Sequence, residues 1–270
     1  MHDYHVHTHY CRHATGSLEE YARVAVGRGL SEICFTPHVP LPSWRPGFFG
    51  GRMRMDPPEF PRFLDELERV RGRFPELTIL AGVEADYVEG TEEYLQDFLS
   101  RWPLDLVLMS VHFVRKWPDP WWVFELPPDR GPIERIYDEY LEALQAGAET
   151  GLFDCVAHFD LIKQPGVPLM EHHRAEVDRI ISICRDRGMS AEVNVSGIRK
   201  AVGEPYPSWE IVDRMAALGL PLVPGADAHE PDLVGQGLET LASLRLARYR
   251  GRRIRDPILP GADLLEAPGA

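Results

Sequence analysis

Apolar runs of strand length recur along this chain, and nearly every one leads into a histidine, a carboxylate or an amide. The runs are Tyr4–Val6, Ile33–Phe35, Thr78–Val83, Leu104–Met109, Asp154–Ala157, Ser190–Val195 and Pro221–Val223, with amphipathic stretches between them. At their carboxyl ends stand His5 and His7, then His38, Glu84, His112, His158, Asn194, and finally Asp227 with His229. Strands alternating with helices give a parallel sheet, and right-handed crossovers leave an open doubly wound sheet or a closed barrel. An open sheet gathers ligands only at its switch point, whereas a barrel brings the carboxyl ends of all its strands together. Polar residues on every strand therefore favour a TIM-like α/β barrel of about seven β/α units.

The helices mark their own ends. Ser17 with Glu20 reads as a capping box, Pro132 suits a first helical turn, and Ser208 is a cap before Ile211, Val212 and Met215. Ile133, Ile136, Tyr137, Tyr140, Leu141 and Leu144 repeat at helical spacing. Helices stop at glycine before the next strand at Gly29-Leu30, Gly151-Leu152, Gly188-Met189 and Gly219-Leu220. Residues 39–58 and 113–131 read as long loops, and the tail from about Asp256 as a wrapping or fraying end. No linker or composition shift divides the chain, so one domain is expected over residues 1–270.

A formal net charge of −13 argues against a broad nucleic-acid surface, which needs clustered lysine and arginine. No apolar run reaches the roughly 18 residues of a membrane span, and the polar, histidine-rich N-terminus does not read as a signal peptide; a cytoplasmic location is the expectation. Cys11, Cys34, Cys155 and Cys184 form no CxxC pair and are expected as reduced thiols, mostly in the core.

His5 and His7, like Asp227 and His229, are two apart, so on a strand each pair projects from one face and can grip one ion. Imidazole and carboxylate without thiolate suit Zn, Mn or Fe(II) and fit Mg or Ca poorly. The donors exceed one ion's needs, which implies two or three ions with Glu84 as a bridge and His13 completing a further one. Such a pocket is positive within an acidic protein and suits a phosphate dianion. An adventitious N-terminal histidine cluster would explain only the first turn. His2, His9, His172 and His173 lack the strand-end placement and are expected at the surface.

Asp3-Tyr4-His5-Val6-His7-Thr8, Phe35-Thr36-Pro37-His38, Gly82-Val83-Glu84-Ala85-Asp86-Tyr87, Ser110-Val111-His112-Phe113, Ala157-His158-Phe159-Asp160 and Gly225-Ala226-Asp227-Ala228-His229 together resemble the polymerase-and-histidinol-phosphatase (PHP) superfamily, in order and over nearly the whole chain. The resemblance implies a distorted (β/α)7 barrel with three divalent ions (Zn, Fe or Mn). It implies one ion on His5, His7, Glu84 and Asp227, a second on Glu84, His112 and His158, and a third on His13, His38 and His229. Within the superfamily, Asn194-Val195-Ser196-Gly197-Ile198-Arg199 and the aromatic loops are most similar to monofunctional histidinol-phosphate phosphatases.

The expected reaction is hydrolysis of a small phosphate monoester, L-histidinol phosphate to L-histidinol and phosphate, by attack of a metal-bridging hydroxide, with Glu84, Asp227 and Arg199 as catalytic residues. Arg199 is the first candidate for a phosphate clamp, because its planar fork matches phosphate oxygens, and Lys163 the second; for both, an ordinary surface charge is the alternative. Asp160 and Asn194 are candidates to orient ligands. Trp44, Phe48, Phe49, Trp117, Trp121, Trp122 and Phe124 either wall the pocket or anchor their loops. The expected partner is the small phosphorylated substrate, with no nucleic acid and no membrane; a homo-oligomer stays open. Two rivals remain: a nuclease or nucleotide phosphatase of the same superfamily, and a non-catalytic metal-binding scaffold.

Overall fold

The computed structural model describes residues 1–40, 53–115, 121–124, 133–166, 169 and 171–249. Seven strands form one parallel sheet in the order β1 (His2–Val6), β2 (Glu32–Phe35), β3 (Thr78–Asp86), β4 (Leu106–Ser110), β7 (Cys155–Val156), β8 (Ser190–Asn194) and β9 (Leu222–Gly225). Every neighbouring pair in that order is parallel. The first and last strands meet: His7 N donates to Ala228 O at 2.9 Å and Ala226 N to Asp3 Oδ1 at 2.9 Å, which brings the sheet nearly to closure. This is the TIM-like barrel the strand ends implied. Loop alone was expected over 113–131, but two short strands, β5 (Phe113–Val114) and β6 (Trp121–Trp122), pair there as an antiparallel ribbon over the barrel mouth.

Six helices alternate with the barrel strands among the described residues: α1 (Leu18–Gly27), α2 (Phe60–Arg73), α3 (Glu92–Ser100), α4 (Ile133–Glu149), α5 (Arg174–Asp186) and α6 (Trp209–Ala217). Each buries one stripe, such as Phe60, Phe63, Leu67 and Val70 of α2, or Val177, Ile180, Ile181 and Cys184 of α5. The Ser17–Glu20 capping box forms in full. Ser208 takes the N-cap position of α6 without a side-chain cap; its N–H goes to Asp160 instead. Gly29, Gly151, Gly188 and Gly219 all lie at φ between 65° and 76°, where a side chain is disfavoured, and Leu30, Met189 and Leu220 each reach back to the helix carbonyl five residues earlier. Those tight exits return the chain to the amino-terminal side of the barrel. Pro132 and the tail from Asp256 lie outside the described residues.

Inward positions run from apolar to polar along the strands. Tyr4, Cys34, Leu106, Leu108, Cys155, Ala157 and Val223 pack together at the amino-terminal end, closed below by Leu80, Ala247 and Tyr249. Above them come Glu84, Ser110, Glu192 and Asn194, all buried. Layers of this kind fill a barrel's interior and leave its carboxyl face for chemistry.

Helix α4 crosses β3 and β4 through Gly147. A Cβ there would sit 2.7 Å from Met109 Sδ and 2.9 Å from Tyr87 Cγ, while one at Gly72 in α2 would meet nothing within 4 Å. Helix propensity alone favours alanine at both positions. Gly72→Ala is expected to stabilise by up to about 1 kcal/mol, and Gly147→Ala to destabilise by about 1–3 kcal/mol through overpacking, both read from urea unfolding.

Candidate metal centre

Glu84 lies at the centre of the barrel mouth with no exposed surface. Its two oxygens face different groups. Oε1 receives Ser110 Oγ, lies 2.9 Å from His158 Nε2 and 3.7 Å from His112 Nε2. Oε2 lies 3.0 Å from His38 Nδ1, 3.3 Å from His7 Nε2 and 3.4 Å from His5 Nε2, yet accepts no hydrogen bond from any of them. Asp227 Oδ1 completes the group on one side, 3.2 Å from His7 Nε2 and 3.8 Å from His5 Nε2. Donors around a tetrahedral zinc stand about 3.3 Å apart, given metal–ligand lengths near 2.0–2.1 Å. The spacings here are of that size.

The tautomers make the same point. His13 Nδ1 is 2.6 Å from Cys11 O, and His229 Nδ1 is 3.1 Å from Asp227 O; a carbonyl only accepts, so in both rings Nδ1 carries the proton. In the neutral rings each Nε2 then presents a lone pair, and the two Nε2 atoms face each other at 2.9 Å. Burial, then the neighbouring His229, pushes the His13 pKa down, which favours the neutral ring. Two lone pairs at that distance repel unless a cation lies between them. His5 and His7 also bring their Nε2 atoms together, at 3.2 Å, with His5 Nδ1 held by Glu192 at 2.8 Å. The residues fit divalent ions.

Electrostatics follow from burial. Desolvation alone would raise the carboxyls of Glu84 and Asp227, but the surrounding imidazoles outweigh it and hold both well below the usual range. His5 is pulled down by burial and then driven well above its ordinary value by Glu192, Asp227 and Glu84. Burial and His229 push His7 down to about 3. Asp86, buried and paired with Arg54, accepts from His112 at Nδ1 and fixes that ring. Two of the ligand-bearing residues, His158 (φ 25°) and Asp227 (φ 53°), sit at positive φ without being glycine. Such conformations cost on the order of 1–3 kcal/mol and collect at functional sites.

Four donor groups converge: His5, His7 and Glu84; Glu84, His112 and His158; His7, His13 and His229; His38, Asp86 and His112. All nine residues expected as ligands are thus in one mouth. The third set differs from expectation, since His13 and His229 group with His7, while His38 reaches Glu84 and joins Asp86 and His112.

The two expected phosphate clamps lie outside the lining of the metal pocket. Both N–H arms of Arg199 are spent on backbone carbonyls, Nη1 on Gln236 and Nη2 on Ala226, which ties it to the seam after β9 and keeps it out of the pocket lining. Lys163 is held by Asp160, Glu204 and Pro205 O and lines a separate cavity. Asp160 Oδ2 meets Lys163 and Ser208 N, while Asn194 Nδ2 approaches Asp227 at 3.4 Å. His173, expected at the surface, is buried against Tyr137 at 4.5 Å. Trp122, Phe124 and Phe113 line the metal pocket; Trp121 is buried in the core, and Trp44, Phe48, Phe49 and Trp117 lie outside the described residues.

The family decides what kind of centre this is. The model of the PHP domain matches residues 3–196. This chain belongs to the PHP family. A Deinococcus radiodurans protein named as a histidinol-phosphatase is 34% identical over 236 residues, covering 86% of this chain and 88% of its own. The Bacillus subtilis histidinol-phosphatase is 30% identical over 261 residues, covering 88% and 96%. Among solved structures, HisK of Listeria monocytogenes superposes with a TM-score of 0.82 at 24% identity (89% of this chain, 99% of that one). Histidinol phosphate phosphatase of Lactococcus lactis, solved with zinc, L-histidinol and phosphate, gives 0.74 at 18% (91% and 94%). The PHP barrel is therefore the fold, and its mouth carries donor groups able to hold divalent metal.

Glu192 was missed from sequence. It is buried, holds His5 Nδ1 at 2.8 Å and accepts His158 N at 2.8 Å, tying two ligands from two strands. Its signal was a charge within the run Ala191-Glu192-Val193-Asn194, on the same face as Asn194. Gly225 makes room for it, since a Cβ there would lie 1.9 Å from Glu192 Oε1. Glu192→Gln is expected to lower metal affinity by about 10–100-fold, measured by competition with a chromophoric chelator; unchanged affinity would contradict the role.

Proposed function

We propose that this PHP-family chain is a histidinol-phosphatase that hydrolyses L-histidinol phosphate to L-histidinol and inorganic phosphate at a trinuclear centre of Zn, Fe or Mn ions. The observation that carries the metal reading is the convergence of His5, His7, His13, His38, His112, His158 and His229 with Glu84 and Asp227 in one mouth, His13 Nε2 and His229 Nε2 facing each other at 2.9 Å. The substrate reading is supported by the similarity to the Deinococcus and Bacillus proteins, both spanned over most of their length.

His5, His7, Glu84 and Asp227 would hold one ion, Glu84, His112 and His158 a second, and His13 with His229 and either His7 or His38 a third. Ions held there supply positive charge for the phosphoryl oxygens and acidify water enough for attack at neutral pH. The chain's own residues do the rest. Glu84 presents one oxygen to each side of the centre, so a single buried carboxylate fixes the spacing of its halves. Asn194 and Ser196 hold Asp227 Oδ2 and leave Oδ1 toward His7.

The pocket above is about 360 Å³ and admits a small molecule. Phe113, Trp122 and Phe124 form one wall, with Phe124 stacked on His112 at 5.9 Å, an apolar face suited to an imidazole. Lys200 and Gln164 also line it, and the Lys200 ammonium, which reaches Gln164, supplies charge for a phosphate where Arg199 was expected to. No described helix is long and apolar enough to cross a membrane. A cytoplasmic enzyme with one domain over 1–270 completes the proposal.

Phosphate release from histidinol phosphate should exceed release from nucleotide monophosphates and from a generic aryl phosphate, disappear on chelation, and return with Zn, Mn or Fe(II). Equal or faster turnover of nucleotides would keep the centre and overturn the substrate; no release from any ester would overturn catalysis.

A further inference from the structure

Cys11 touches three of the histidines that surround the centre, and none of the chemistry described above uses it. It follows β1 on a short 3-10 turn (His9–Cys11) and has no exposed surface. Its Sγ lies 3.3 Å from His7 Nδ1 and accepts the backbone N–H of His38 at 3.4 Å. Its carbonyl takes His13 Nδ1 at 2.6 Å. His7, His13 and His38 come from separate places, β1, the loop after it and the loop after β2, and one residue joins all three.

We infer that Cys11 is a positioning residue, whose thiol fixes the ring and tautomer of His7 so that its Nε2 faces the ion. The inference rests on the metal-centre reading above. Every other orienting contact at Nδ1 here ends on oxygen: Glu192 for His5, Asp86 for His112, and main-chain carbonyls for His13 and His229. Oxygen partners, carboxylate above all, hold the proton firmly and strengthen the ring as a ligand. A thiol sulfur is a weak acceptor, and here it is shared between His7 Nδ1 and His38 N. His5 and His7 therefore approach the same ion from one strand with unequal support. Weakening the sulfur contact frees His7 at its outer nitrogen and leaves His38 N without its acceptor, so the ion bound through His7 is the first to be lost.

Three side-chain variants separate hydrogen bonding from volume. Cys11→Ser keeps an acceptor, Cys11→Val keeps bulk without one, and Cys11→Ala keeps neither. Metal bound per chain is measured by elemental analysis after dialysis of the holoprotein against a graded chelator. The visible spectrum of the Co(II)-substituted protein and the melting temperature of each apoprotein are recorded beside it. Cys11→Val and Cys11→Ala are expected to lose one ion at about 10–100-fold lower chelator strength than wild type, with a changed Co(II) spectrum, and Cys11→Ser to recover most of that loss. Wild-type retention by Cys11→Val, with the apoprotein folded, would overturn the role of the thiol, as would a serine variant no better than valine. Should wild type itself retain no metal, the metal-centre reading fails instead, whatever the variants do.

Discussion

A carboxylate with no solvent contact must be surrounded by positive charge or give up its own. Around Glu84 stand five imidazoles, His5, His7, His38, His112 and His158, delivered by β1, the ends of β2, β4 and β7 and their loops. No open sheet brings so many strand ends within reach of one side chain. The closed barrel, the helix exits that close each β/α unit and the apolar plug beneath Glu84 all serve that convergence. The outer nitrogens of His5, His13 and His229 are already committed, and their Nε2 atoms face other imidazoles of the cluster. Divalent cations would resolve the conflict, and a cation-lined pocket of small volume is what a phosphate monoester needs.

The supporting residues are as specific as the ligands. Glu192 spans His5 and the backbone of His158, Asp86 spans Arg54 and His112, and Asn194 with Ser196 turns Asp227. Each links two strands or a strand and a loop, so the polar layer holds the mouth of the barrel together as the apolar layer holds its base. Gly225 shows how closely the layers fit: its missing side chain is the space that Glu192 occupies.

Much of this was legible in the sequence. Period-two and helical patterns are set by local geometry, so the seven strands and the helix-ending glycines could be read directly, and histidines at strand ends marked the mouth. The places of Arg199 and Lys163 were not legible, because charge type says nothing of where a long side chain lands; one is drawn to carbonyls beside β9 and the other to Asp160 and Glu204. Glu192 and Cys11 were hidden for the opposite reason. Glu192 lies between the ordinary core residues Ala191 and Val193 and Cys11 between half-buried Tyr10 and exposed Arg12, and their contacts appear only when His5, His7 and His158 are brought beside them. The β5–β6 ribbon escaped because two-residue strands carry too little periodicity to register.

The central claim is that cations lie between the facing nitrogens. Anomalous scattering from crystals of the metal-loaded protein, collected on both sides of the Zn, Fe and Mn absorption edges, tests it directly. The expected result is peaks within bonding distance of the His13 and His229 Nε2 atoms, of the His5, His7 and Asp227 group, and of His158 beside Glu84. A mouth without anomalous peaks, its histidines turned to hydrogen-bond one another, would contradict it.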